Sequence, residues 1–132
     1  MRILVVDHEF RSRWAVADWL AVFLDAVAVE SAASAMEATA AIALRRPDLV
    51  LAANPMPEMG GVELARQLKS QGNPPLVVVM TEQSDAKFES ACNSAGADFW
   101  LEKRHLQARL VAFLQQRFSL RLTARRRGLL PK

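Results

Sequence analysis

Residues 47–61 read PDLVLAANPMPEMGG. The stretch 48–53 is a short run, apolar after Asp48, that ends in two alanines. It then breaks into a loop holding Pro55, Pro57, Gly60 and Gly61. A run apolar on both of its alternating faces fits a strand buried on both sides of a sheet. Directly after the loop, VELARQLKS places Val62, Ala65 and Leu68 on one helical face, and Gly72, Asn73, Pro74 and Pro75 end that helix. The unit is strand, presenting loop, helix. Ala53, the residue best placed for presentation, carries no functional group.

The same unit recurs on both sides. RILVVD (2–7) reads as a first strand, followed by Val16, Trp19, Leu20 and Phe23 at helical spacing. AVAVE (26–30) reads as a second strand. Ser34 and Glu37 then form a capping box before an alanine-rich helix that stops at Pro47. LVVVMT (76–81) is a fourth strand, with Ser84 as the expected cap of a helix closing at Gly96. DFWLEK (98–103) is a fifth, and Leu106, Leu110, Phe113 and Leu114 stripe a last helix. Five successive strand–helix units with short connections imply an α/β fold. The expected architecture is a doubly wound, five-stranded parallel sheet with helices on both faces. In such sheets the functional crevice lies at the carboxyl ends of the strands. Those ends carry Asp7, His8, Ala53, Thr81 and Lys103.

The 132 residues, 52% of them hydrophobic, suit one domain with a proper core. No apolar run reaches the roughly 20 residues of a membrane span. Asp7, His8 and Glu9 interrupt the first apolar run too early for a signal peptide. The single cysteine, Cys92, excludes an internal disulfide and fits a reducing, cytoplasmic setting; its helical context reads as a small buried residue. Of 17 basic and 14 acidic residues, five basic and no acidic ones lie in 119–132. The first 118 residues therefore hold 12 basic against 14 acidic groups. The positive balance belongs to the tail, and the body is not a nucleic-acid binder by charge.

Four motifs, in order, resemble the receiver domain of bacterial two-component response regulators: ILVVDHE, PDLVLAANPMPEMGG, VVVMT and GADFWLEK. The resemblance runs from about residue 2 to 118 and implies the flavodoxin-like (βα)5 receiver fold. Residues 1–118 then form the receiver-like domain, and 119–132 a basic helix extension or linker. In that family an aspartate after the third strand accepts a phosphoryl group and an acid pair after the first strand helps hold Mg²⁺. A Thr or Ser and a Lys contact the phosphoryl oxygens. A carboxylate nucleophile, a hard cation and a positive side chain are what that transfer needs. By the resemblance, the acceptor position falls on Ala53 and the acid pair on Asp7 and His8. Thr81 and Lys103 match. Arg104 stands where proline is usual, and Trp100 where the family has a turning aromatic.

The departures reshape the expectation. Alanine offers no oxygen, the side chain of Asn54 points to the opposite face, and histidine is a poor Mg²⁺ ligand. Glu9 offers a carboxylate one residue along. Mg²⁺ binding is expected to be weak or absent, and no cofactor or other metal is expected. With Ala53 silent, Asp7 is the expected counter-ion of Lys103, against the alternative of a solvated lysine at a rim. His8 reads as a hydrogen-bonded histidine. A trans bond is expected at Lys103–Arg104, because cis before a residue other than proline costs roughly 2.5–4 kcal/mol.

The sequence thus points to a pseudo-receiver, an interaction or dimerisation module that works without phosphorylation and is not an enzyme. The resemblance implies a partner or homodimer face on the fourth helix, fifth strand and fifth helix, here with Lys87, Asp98, Trp100 and Arg109. An output domain beyond the C-terminus would suit a tail acting as a linker. Sequence-specific DNA reading is not expected of this chain alone. Two alternatives stay open: regulation by a small ligand in the altered pocket, or an ordinary phosphorylatable receiver carrying an engineered Asp→Ala change at position 53.

Overall fold

Short runs that are apolar on both faces can be satisfied only in a sheet covered on both sides. The computed structural model, which describes residues 1–118, has that arrangement. The order is β1 (Arg2–Val6), α1 (Phe10–Phe23), β2 (Ala28–Ala32), α2 (Ala35–Leu44), β3 (Leu49–Ala53) and α3 (Gly61–Lys69). It continues with β4 (Leu76–Thr81), α4 (Ala86–Ala95), β5 (Phe99–Glu102), a 3-10 turn (Lys103–His105) and α5 (Leu106–Phe118). The five strands form one parallel sheet in the order β2-β1-β3-β4-β5. The basic segment 119–132 lies outside the described residues.

This strand order fixes where chemistry can occur. From β1 the chain moves outward to β2, and from β2 onward it runs the other way across the sheet. With right-handed crossovers, α1 covers one face and α2, α3 and α4 the other; α5 joins α1, with which it lines a shared groove. The direction reverses between β1 and β3, so a crevice opens beyond their carboxyl ends. Val6 and Ala52 pair there, immediately before Asp7 and Ala53.

The core is the middle of the sheet. Leu49, Val50 and Leu51 of β3 and Val77, Val78, Val79 and Met80 of β4 are fully buried. Each such side chain stabilises the fold by about 1.5–3 kcal/mol. The helix stripes meet this sheet as their spacing requires: Val16, Trp19 and Leu20 from α1, and Leu106, Leu110, Phe113 and Leu114 from α5. In α3 the buried set is Gly61, Leu64, Ala65 and Leu68; Val62 is only partly covered, so the buried stripe lies to one side of the expected one.

β1, β3 and β5 are a residue or two shorter than read, with Asp7, Asp48, Asp98 and Lys103 outside the strands, and two further boundaries differ for identifiable reasons. The second strand, expected at 26–30, is Ala28–Ala32. Ala26 takes a left-handed turn at φ 55°, and Ala28 donates to the Met1 carbonyl at 2.8 Å, so pairing with β1 decides where the strand begins. The α4 cap is Asp85, not Ser84: Asp85 Oδ1 accepts the Phe88 N–H at 2.7 Å. Ser84 is drawn elsewhere, its N–H to Glu102 at 3.2 Å and its hydroxyl to Glu89 at 3.1 Å. The Ser34 box forms as expected on its first arm, Ser34 Oγ accepting the Glu37 N–H at 3.1 Å. Its return arm goes one residue further back, from the Ala33 N–H to Glu37 Oε1 at 3.1 Å.

Candidate functional site

Asp7 follows β1 and is fully buried. Its backbone continues the sheet, donating to the Ala32 carbonyl at 3.1 Å. Burial of a carboxylate demands partners, and Asp7 has them on both oxygens. Oδ1 accepts the Glu9 N–H at 3.0 Å, and Oδ2 accepts Lys103 Nζ at 2.8 Å. The Asp7–Lys103 pair expected from the sequence therefore forms, across 96 residues of chain. Lys103 also donates to Ser12 Oγ at 3.0 Å and approaches Glu82 at 3.4 Å. Arg13 donates to the Asp7 carbonyl at 2.9 Å. Burial alone would raise the Asp7 pKa. The Lys103 ammonium, the Glu9 N–H and the Ser12 hydroxyl outweigh it and hold the carboxyl below its ordinary 3.8.

Ala53 ends β3 beside this cluster, with 2% of its surface exposed. Thr81, at the end of β4, is 5% exposed and turns its hydroxyl to the Gln83 carbonyl at 3.3 Å. His8 is exposed, with Nδ1 3.8 Å from Asp7 Oδ1, so the hydrogen bond expected of this histidine is not made to its neighbour Asp7. Glu9 is exposed and sits at the start of α1 without a side-chain cap. The strand ends thus gather buried Asp7, Ala53 and Thr81 and half-buried Lys103, and leave His8 and Glu9 at the rim. Among the described residues no group of three His, Cys, Asp or Glu side chains could hold a metal ion.

The loop after β3 is organised by Asn54. Its N–H donates to the Met80 carbonyl at 2.8 Å, and its Oδ1 accepts the Val62 N–H at 3.2 Å at the start of α3. Gly61 is needed for close approach: a Cβ there would lie 2.7 Å from the carbonyl oxygens of both Ala52 and Ala53. The loop scaffold therefore seats the first turn of α3 directly on the end of β3. The Lys103–Arg104 bond is trans, as expected, and Lys103–His105 forms the 3-10 turn leading into α5.

On the other candidate surface, Trp100 is half-buried in β5, paired with Val79 of β4. Arg109 lies over the Phe99 ring at 5.0 Å, and Phe99 stacks on Phe113 at 5.1 Å. Lys87 is exposed in the first turn of α4. Asp98 has a structural commitment: its Oδ2 accepts Lys69 Nζ at 2.7 Å and the Val77 N–H at 2.8 Å, which ties it to α3 and β4. Cys92 is fully buried, and burial pushes its thiol up to about 11.

Sequence reading missed Ser12, Arg13 and Glu82, which surround Asp7 and Lys103, and the bridging role of Asn54. Asn54 had a readable signal, an asparagine beside a strand end and before a helix, whose amide serves backbone groups. Glu82 follows Thr81 at the end of β4 and could have been read with the other strand ends; Ser12 and Arg13 had no such signal, because only the docking of α1 brings them to Lys103 and Asp7.

The comparisons match this geometry. The model of the response regulator receiver domain matches residues 3–115. Response regulator MprA of Mycobacterium sp. (strain KMS) is 35% identical over 120 residues, covering 88% of this chain and 51% of that protein. MprA of Mycobacterium leprae (strain TN) is 33% identical over 120 residues, with 88% and 52% covered. The chain thus spans about half the length of these curated relatives. The signal receiver domain of a signal transduction histidine kinase from Syntrophus aciditrophicus superposes with a TM-score of 0.79 at 27% identity, covering 89% of each chain. Vibrio cholerae chemotaxis protein CheY4 gives 0.76 at 26% identity, covering 87% of this chain and 96% of its own. With five parallel strands in the order 2-1-3-4-5 and this match across nearly all the described residues, the chain belongs to the response regulator receiver domain family of two-component signalling.

Proposed function

We propose that this chain is a pseudo-receiver, a signalling module that engages a protein partner or a second copy of itself without being phosphorylated at the usual place. The observation that carries the reading is Ala53 at the end of β3, beside an Asp7 carboxylate already held by Lys103 at 2.8 Å. A phosphoryl acceptor needs a nucleophilic oxygen, and alanine has none. The residues present do not fit Mg²⁺, which requires near-octahedral oxygen ligands. Asp7 has one oxygen on Lys103 and the other on the Glu9 N–H, and His8 offers nitrogen. The Asp7–Lys103 pair acts as an internal substitute, with the lysine charge satisfied inside the protein. Partner binding, rather than phosphate, then biases whatever conformational equilibrium the domain has.

The contact surface in this reading is the face of α4, β5 and α5. It is supported by the half-buried Trp100, since indole is favoured at interface centres, and by the Arg109–Phe99–Phe113 stack. The charge of 119–132 supports a linker or a docking segment for an acidic partner.

The test is direct. Acetyl phosphate with Mg²⁺ adds no phosphoryl mass to the protein, and beryllofluoride with Mg²⁺ leaves its spectra and oligomeric state unchanged. Ala53→Asp alone does not restore tight Mg²⁺-dependent phosphorylation, because the Lys103 pair and His8 remain. Full restoration by that one change would overturn the reading. Light scattering and partner capture, with wild type against Trp100→Ala, locate the contact face; a complex untouched by Trp100→Ala would remove that face from the proposal.

A further inference from the structure

A groove of about 580 Å³ runs between α1 and the start of α5. That volume lies within the range of small-molecule sites, roughly 300–1,000 Å³. Its walls are apolar: Val16 and Trp19 from α1 and Leu106 from α5. Small residues line it from both helices, Ala15 of α1 and Ala108 of α5, both exposed. Its mouth carries Arg104, His105 and Gln107, and no carboxylate lines it. Arg104 is exposed and shares Glu102 at 3.2 Å from outside the groove, a surface contact that a competing anion displaces at little cost. The indole N–H of Trp19, in the same wall, is closed to solvent and has no hydrogen-bond partner among the described residues.

We propose that this groove binds a small amphipathic organic anion, its apolar body between Ala15, Val16 and Leu106 and its charged group beside Arg104 and His105. The site reports inward through two residues. Ser12 and Lys103 both line the groove, and Lys103 holds Asp7 at 2.8 Å and Ser12 at 3.0 Å. An occupant touching Lys103 is therefore one hydrogen bond away from Asp7.

The probe is 8-anilinonaphthalene-1-sulfonate, an aromatic anion of suitable size whose fluorescence reports burial, compared with neutral N-phenyl-1-naphthylamine. The expected result is saturable binding of the anion at one site per chain, about tenfold tighter than the neutral analogue. Ala15→Phe and Ala108→Phe place a ring in the groove from exposed positions, so folding is retained, as an unchanged melting temperature verifies. Each weakens binding of the anion by at least about tenfold. Arg104→Ala weakens the anion about fivefold and leaves the neutral analogue unchanged. Binding that survives both phenylalanine variants, or no saturable binding to the wild type, overturns the site. Equal affinity for anion and neutral analogue overturns the assigned ligand class. No phosphoryl donor or Mg²⁺ enters this experiment, so its failure is separate from failure of the pseudo-receiver reading.

Discussion

At the residue scale, the Asp7–Lys103 pair decides most. Removing one partner of a buried ion pair leaves an uncompensated charge, which costs far more than the pair itself contributes. Lys103→Met should therefore destabilise the domain by about 3–5 kcal/mol in urea unfolding. Adding Asp7→Asn to that variant removes the orphaned charge and should recover much of the loss, so the two changes are strongly non-additive. Two single-site losses that simply add would show that the pair is not coupled. Cys92 gives a second expectation at this scale. Its thiol is fully buried and raised to about 11, so a disulfide thiol reagent at pH 8 should label it only as fast as the protein opens. In denaturing urea labelling should be immediate.

At the element scale, the helix starts carry local signals of measurable size. Ser34 satisfies the Glu37 N–H at the first turn of α2, and Ser34→Ala should cost about 1 kcal/mol by chemical denaturation. The start of α3 is more demanding. Gly61→Ala brings a methyl group to 2.7 Å from two backbone oxygens that cannot rotate away, so α3 must shift off the end of β3. The expected cost is roughly 1–3 kcal/mol, read as a lower melting temperature. An unchanged melting temperature would mean that the β3–α3 loop yields easily, and the loop would then be a poor platform for any site. The same elements show the limits of reading by period. The pattern gave every helix and strand, yet β2 began two residues late and Asp85 displaced Ser84 as a cap. Both outcomes were set by distant partners, β1 in one case and Glu102 in the other.

At the scale of the whole molecule, acid stability follows from the same carboxylate. The folded pKa of Asp7 lies below its unfolded value of 3.8. Its contribution is complete above that value and is lost as pH falls from 3.8 through the lower folded pKa. Urea unfolding of the wild type between pH 5 and 2 should therefore show a loss that begins near 3.8, and the Asp7→Asn variant should lack that component. A wild-type profile identical to that of the variant would contradict the depressed pKa.

The sequence by itself determined the alternation of strands and helices, the burial of the central strands and the absence of any side-chain oxygen at Ala53. Those follow from side-chain period and residue type, which act locally and are written in the chain. It also led to Asp7 as the expected counter-ion of Lys103, because the family resemblance puts both in one pocket and Ala53 leaves the lysine without a carboxylate there. Only the tertiary structure decided what surrounds them. Ser12, Arg13 and Glu82 reach the pair from separate elements, and Asp98 is drawn to Lys69 rather than left free beside Arg109. These choices depend on helix docking and on competition among several donors for one carboxylate, which a one-dimensional pattern does not rank. The groove between α1 and α5 belongs to the same class: it is lined by Ala15 and Ala108, 93 residues apart in the chain and brought to one cleft only by the fold.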